Sequence, residues 1–356
     1  MSKKVTMQQI ADYVGVSKFA VSKALSGQPG VSEATRAKII QAAIQLGYQV
    51  NAHHVPKDHK QIPSPYTKPH SSGYVAVIIP GLRDQKEGSF FWGRILDGIS
   101  QELRQYNLGI IIISEYTSES ITQILNPAEL VGVISVGNVS TSLLLEVTRT
   151  GVPLVLVDHE DPLINCDRLF MNNYDSLYHL TSRLIQLGHQ SFQFVGDIHF
   201  SKSFHKRWMG FYICLMDHQI SLQQDQSLLS IHGSDSNIRK KNIFNALKPL
   251  RANNTMPTAL VCANDAIAVS TLHALTDLGI KVPEDCSVTG FDNIENIIDV
   301  SPSLTTINVE KEQMGKRSVE VLLWRLNNPH SPTEKLLMSG EIIFRESTSH
   351  APSRHA

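Results

Sequence analysis

Residues 5–25, VTMQQIADYVGVSKFAVSKAL, confine the start of this chain to two short helices crossed at a tight turn. Thr6 is placed to cap the first helix, and Gln9 follows three residues later, as in a capping box. Met7, Ile10, Ala11 and Val14 recur at i, i+3, i+4 and i+7 and make one apolar face. Gly15 lacks a Cβ and tolerates the positive φ that a sharp turn needs. Ser17 can cap the second helix, on which Ala20, Val21, Ala24 and Leu25 face inward. Lys18, Phe19, Ser22 and Lys23 are left facing out. Two such helices bury little alone. A third follows, with Ser32 as its cap, Ile39, Ile40, Ala43, Ile44 and Leu46 as its apolar set, and Gly47 at its end.

A generic three-helix bundle would show the same periodicity, and charge separates the two cases. The first 60 residues carry eight Lys/Arg and three acids, a net of +5, whereas the remainder is −6. The overall charge of −1 conceals a basic head on an acidic body. A basic head with an exposed helix face is the footprint of phosphate binding.

The segment TMQQIADYVGVSKFAVSKALSGQPGVSEATRAKIIQAAIQLGY closely resembles the headpiece of LacI/GalR-type transcriptional regulators. The resemblance implies a homodimer, with a tetramer as the alternative, reading a near-palindromic operator in double-stranded DNA with one headpiece per half-site. It places Thr6, Ser17, Lys18, Phe19, Ser22 and Lys23 against DNA.

A chain of 356 residues suggests two or three domains. Cys166, Cys214, Cys262 and Cys286 are scattered, with no CxxC pair, and read as buried free thiols in a reducing cytoplasm. No amino-terminal signal segment is evident, and no apolar run approaches the ~18 residues of a membrane span. Cytoplasmic localisation and no membrane partner are therefore expected.

Residues 1–50 form the expected headpiece, and residues 51–73, NAHHVPKDHKQIPSPYTKPHSSG, a Pro/His-rich linker. In the resembled family this stretch folds into a hinge helix on DNA and wedges a leucine into the minor groove. Here Asn51 is retained, but Pro56 interrupts the helix and Lys57 stands at the leucine position. The expectation is a hinge cut short before Pro56, with Asn51 and Lys57 as DNA contacts and Val55 as a small wedge. His53, His54 and His59 do not have a recognised zinc spacing, so no metal and no cofactor is expected.

From Tyr74 onward, strand-length apolar runs alternate with helical patterns: YVAVIIP, LGIIIIS, VGVISV and VPLVLVD, then FQFVG, TALVCAND and CSVTGFD. Continuous Val/Ile/Leu runs suit parallel strands covered on both faces, and the alternation argues two doubly wound α/β lobes. The expected N-terminal lobe is 74–171 with 302–322, the C-terminal lobe 172–301 with 323–347, and 348–356 a tail. Ligands in such sheets bind beyond the carboxyl ends of the strands. That rule selects segments holding aromatic rings, carboxylates, amides and a guanidinium, a mixture suited to a polyhydroxylated ligand.

The body resembles the periplasmic-binding-protein-like effector domain of the same family. SFFWGRILDGI, SFHKRWMGF, CANDAIAV and GFDNIE match its effector-binding segments, which implies Phe91, Trp92, Arg207, Asn264 and Asp292 as contacts, with Asp158 after VPLVLVD as a further acid. Asp265 reads as a cap for the helix that follows, and His159–Asp161 as a solvated loop. Enzyme motifs such as GxSxG, GxxxxGK[ST] and HExxH are not found, so no catalytic residue is assigned. The expected function is a ligand-responsive DNA-binding repressor of sugar-utilisation genes. The alternatives are a global regulator answering to a phosphocarrier protein and a purine-sensing repressor.

Overall fold

The computed structural model describes residues 5–28, 30–48, 50–51, 73–79, 89–114, 125–126, 128–231, 233, 235–294 and 300–352. The chain divides into two compact units: Met1–Arg83 with Arg94–Phe170 and Glu312–Leu336, and Asp84–Gly93 with Met171–Lys311 and Leu337–Ala356. This division carries 312–336 with the first unit and 302–311 with the second, a different split from the lobe boundaries expected.

The first unit opens with α1 (Met7–Val14), α2 (Lys18–Leu25) and α3 (Glu33–Leu46). Thr6 and Gln9 form a full capping box, Gly15 closes α1 at φ 75°, and Ser17 caps α2 by accepting from the Ala20 N–H at 3.1 Å. Ile10, Ala11, Val21, Ala24, Leu25, Ile39, Ala42 and Ala43 are the buried core of the three helices. Ile44, expected inward, is 38% exposed, because it falls on the far edge of the α3 stripe. Arg36 pins the turn after α2 by donating to the Ala24 and Gln28 carbonyls, each at 2.8 Å.

The strands β1 (Val50–Asn51), β2 (Tyr74–Ile78), β3 (Gly109–Ile113), β4 (Leu130–Val136), β5 (Leu154–Val157), β6 (Ile164–Asn165) and β7 (Asp167–Met171) follow, with α4 (Ser89–Gln105) and α5 (Thr141–Thr148) between them. β2 pairs in parallel with β3 and β4, β4 with β5, and β5 with β7, in the order β7-β5-β4-β2-β3, and a strand from later in the chain adds a sixth beside β7. The chain moves from β2 to β3 on one side and then to β4 on the other. The apolar residues on both faces of β2, β4 and β5 are almost all buried, as parallel strands covered on each side require, whereas β3 at the sheet edge leaves Ile112 45% exposed.

The second unit contains α6 (Asn173–Gln186), β8 (Phe192–Val195), α7 (Lys202–Asp217), α8 (Ser236–Ala252), β9 (Ala259–Cys262), α9 (Asp265–Asp277), β10 (Ser287–Thr289) and β11 (Thr306–Asn308). Its parallel three-stranded sheet is ordered β10-β9-β8, so the carboxyl ends Val195, Cys262 and Thr289 lie at one edge. α10 (Lys311–Asn327) then returns to the first unit. β12 (Lys335–Met338) ends the six-stranded sheet, and β13 (Glu341–Ile343) pairs antiparallel with β11.

β7 and α10 are absent from the strands and helices expected. DRLFM carries two charges, which argue against a buried strand. Yet Asp167 is fully buried, because Arg325 of α10 donates Nε to its Oδ2 and Nη2 to its Oδ1, both at 2.7 Å. The loop expected at His159–Asp161 is also ordered by its acids. Asp161 is buried, accepting from Thr141 Oγ1 and the Leu163 N–H, and Glu160 pairs with Lys335.

Candidate nucleic-acid interface and effector site

In the headpiece, Lys18, Phe19 and Ser22 are exposed on one face of α2, Phe19 at 68%. Lys23 is half-buried, its Nζ 4.8 Å from the Phe19 ring centroid. The face therefore offers a ring and two ammonium groups, which suit a thymine methyl and guanine acceptors. Thr6 and Ser17 stand at the amino ends of α1 and α2, where unpaired N–H groups and the helix dipole favour phosphate. Each spends oxygen lone-pair capacity on its cap, and the Ser17 hydroxyl hydrogen is left to donate. Asn51 lies in β1, opposite Asn165. Val55 and Lys57, the remaining linker contacts expected, and His53, His54 and His59 lie outside the described residues.

The effector candidates of the second unit converge on the edge where its strands end. Arg207, on α7, has a side chain 5% exposed. Its Nε donates to Asn173 Oδ1 at 2.7 Å, its Nη1 to the Ala263 carbonyl at 2.7 Å, and its Nη2 to Asp292 Oδ1 at 3.2 Å. The guanidinium lies 3.6 Å from the Phe291 ring centroid, a cation–π stack that fixes its plane. Among the described residues three of the five N–H groups that any guanidinium carries are engaged in this way.

Asp292 follows β10 at φ 111°, and Asn293 at φ 48°. Non-glycine residues held there cost about 1–3 kcal/mol each and persist only where the surroundings over-determine them. Here Lys311 Nζ donates to the carbonyls of Asp292, Asn293 and Val309, Asn293 Nδ2 donates to Asn308 Oδ1 at 2.9 Å, and Arg345 Nη2 donates to Asn293 Oδ1 at 2.9 Å. Burial raises the Asp292 carboxyl above its ordinary pKa, against the pull of Arg207 and Lys311. Phe91 joins the same cluster: its ring lies 5.9 Å from Lys311 Nζ and packs edge-on with Trp92 at 4.8 Å. Both rings are half-buried.

Asn264 takes the capping role expected of Asp265. It is the N-cap of α9, its Oδ1 accepting from the Ile267 N–H at 3.0 Å, which uses one of the two acceptor positions of that oxygen. Asp265 is not the cap. It is fully buried, accepting from Thr306 Oγ1 at 2.6 Å and the Ile294 N–H at 3.0 Å. Asp158 belongs to the first unit, follows β5 at φ 54°, and donates its N–H to the Leu169 carbonyl at 2.9 Å.

Asn173 and Lys311, which sequence reasoning missed, and Asp265, which it read as a cap, support the candidate site. Asn173 lies just beyond the end of β7, so the strand-end rule would have found it had the strand been recognised. Cys262, near the site, is buried with its thiol pushed up to about 12, chiefly by burial, and so has negligible thiolate near neutral pH.

Comparison with known proteins finds likenesses in both parts of the chain. Residues 6–51 match the model of the bacterial regulatory proteins of the lacI family, and residues 181–348 match a periplasmic binding protein-like domain. The chain is similar to the lacI family in its headpiece and to the periplasmic binding protein-like domain in its body. It is 28% identical over 349 residues to a probable HTH-type transcriptional repressor, ExuR, of Bacillus subtilis (strain 168), covering 96% of this chain and 98% of the relative. Among solved structures it is similar to a transcriptional regulator CelR–cellobiose complex, with a TM-score of 0.70 at 20% identity, covering 97% of this chain and 100% of that one. It is also similar to a lac repressor dimer bound to operator and an anti-inducer, with a TM-score of 0.63 at 22% identity, covering 98% and 100%. These structures share its architecture, an HTH headpiece on a periplasmic-binding-protein-like α/β body. Among the described residues no helix is long and apolar enough to cross a membrane.

Proposed function

We propose that this regulator is a cytoplasmic, homodimeric repressor of sugar-utilisation genes, without enzymatic activity, whose affinity for a near-palindromic operator is set by a small sugar or sugar derivative. The observation that carries the effector reading is the Arg207–Asp292 pair at the strand ends, beside the Phe91 and Trp92 rings. Carboxylate, guanidinium and amide groups serve hydroxyls in both directions, while the rings serve C–H faces. The relative solved with cellobiose supports a sugar, and the relative solved as a dimer on operator supports two headpieces on two half-sites. Lys18, Phe19, Ser22 and Lys23 read bases, and Thr6, Ser17 and Asn51 position the headpiece on phosphate. Phe91, Trp92, Asp158, Arg207, Asn264 and Asp292 take the effector.

Effector and operator act by linkage. An effector that favours one arrangement of the body changes operator affinity, and operator changes effector affinity by the same factor. The test is isothermal calorimetry of the purified full-length protein against a panel of mono- and disaccharides and, separately, purine bases. Operator affinity is then measured by anisotropy on a duplex selected from a random library. A sugar that binds and shifts operator affinity supports the reading. Binding of purines alone transfers the protein to a different effector class.

A further inference from the structure

We propose that Asp265 is a positioning residue of the effector site, whose buried carboxyl group ties the strained Asp292–Asn293 turn to β11 and so aims Asp292 at Arg207. Its two carboxyl oxygens hold separate segments: Oδ1 accepts from Thr306 Oγ1 on β11 at 2.6 Å, and Oδ2 accepts from the Ile294 N–H just after the turn at 3.0 Å. Its own N–H donates to the Phe291 carbonyl at 2.9 Å, so Asp265 grips the turn from both sides of Asp292. The neighbouring backbone is shaped around it, since a Cβ on Gly290 would overlap Asp265 Oδ1. β11 in turn carries Asn308, which holds Asn293 and bridges Asp292. A turn that costs strain energy at two consecutive residues needs such a fastening on each flank.

The fastening is a buried carboxyl group, and this links it to pH. Among the described residues, the ionisable groups facing it are Asp292 after β10, Lys311 after β11 and the Cys262 thiol at the end of β9, with Arg207 of α7 reaching it through Asp292. Burial first, and Asp292 next, push Asp265 up to about 7, against the hydrogen bonds from Thr306 and Ile294 and the charge of Lys311. The folded state therefore holds the proton more tightly than the unfolded chain. Stability from this group is fully present below the ordinary carboxyl range and is lost as pH rises through about 7.

The proposal rests on reading this turn as part of the effector site. Its test does not, because every readout is taken on the effector-free full chain, so a failed ligand screen and a failed fastening are told apart. Wild type and Asp265→Asn are melted across a pH series. Asparagine can donate to Thr306 Oγ1 and accept from Ile294, so it keeps both ties without the titration. The unfolding constant of wild type should rise relative to Asp265→Asn by up to about tenfold per pH unit between about pH 5 and 7. In an Asp292→Asn background the same difference should move to lower pH, because a repelling neighbour is gone. Hydrogen exchange at the Asp292–Ile294 amides should quicken about tenfold in Asp265→Ala and be restored in Asp265→Asn. Thr306→Val, which removes one tie and leaves the carboxyl, should show the same quickening if Asp265→Ala does not fold. Parallel pH curves for wild type and Asp265→Asn, or unchanged exchange at the turn in both Asp265→Ala and Thr306→Val, would overturn the assignment.

Discussion

Replacing Arg207 by alanine tests how the effector site is held together. The guanidinium is 5% exposed and has three protein acceptors, one of them the Asp292 carboxylate. Removing it leaves that carboxylate, among the described residues, with Lys311 as its neighbouring cation, and strands the Asn173 and Ala263 oxygens. Breaking one side of a buried pair costs about 3–5 kcal/mol, because the remaining charge is uncompensated rather than because the pair itself is worth that much. For a lobe of this size the melting temperature moves by about 2–4 °C per kcal/mol, so Arg207→Ala should lower the transition of the second unit by roughly 6–20 °C. Asp292→Asn removes the stranded charge. The double variant should therefore recover part of the loss, with a coupling of about 1–3 kcal/mol. Arg207→Lys keeps the charge but cannot direct donors along three fixed directions, and should fall between wild type and alanine. Scanning calorimetry of wild type and the four variants without effector measures this. A transition for Arg207→Ala within about 2 °C of wild type, or strict additivity in the double variant, would refute the view of Arg207 as a structural cation that also faces the ligand. The substitution then reports on effector affinity only below its lowered melting point.

Other substitutions separate reading from packing. Lys23→Ala should cost about 1–3 kcal/mol on the preferred operator and relax specificity at one base pair, measured by anisotropy on a set of single-substituted duplexes. Equal weakening on every duplex would make Lys23 a phosphate contact. Gly98→Ala should destabilise the first unit by about 1–3 kcal/mol or more in urea, since a Cβ there would overlap the Glu312 carbonyl oxygen where α4 and α10 touch. Arg325→Met should cost about 3–5 kcal/mol by leaving the buried Asp167 carboxylate without its guanidinium, and Arg325→Met with Asp167→Asn should cost less than Arg325→Met alone.

The headpiece was legible because its determinants are local. Thr6 and Gln9, Gly15, Ser17 and Ser32 act on backbone groups a few residues away, so the sequence spacing and the physical contact are the same fact. The apolar strands were legible for a similar reason, since Val/Ile runs need no partner to be recognised. β7 was not. Its Asp167 is tolerable in a buried strand only because Arg325 arrives from 158 positions along the chain, and nothing in DRLFM announces that.

The effector site shows where legibility ends and why. The strand-end rule finds Arg207, Asn264 and Asp292 because it is a rule about backbone position. It says nothing of how many of each side chain's hydrogen-bonding groups the protein itself consumes. Among the described residues Arg207 spends three N–H groups on its own fold, and Asn264 Oδ1 accepts a helix-cap bond. Under the proposed function, specificity for one polyhydroxylated molecule over another would rest on the hydrogen-bonding capacity left over, together with an aspartate held at φ 111°. The direction of each remaining group is fixed by residues to which sequence reading gave no ligand contact. Asn173 orients the guanidinium, while Asp265, Lys311, Asn308 and Arg345 orient the turn. Changing effector preference in this scaffold should therefore require altering those supports as well as the residues that face the ligand.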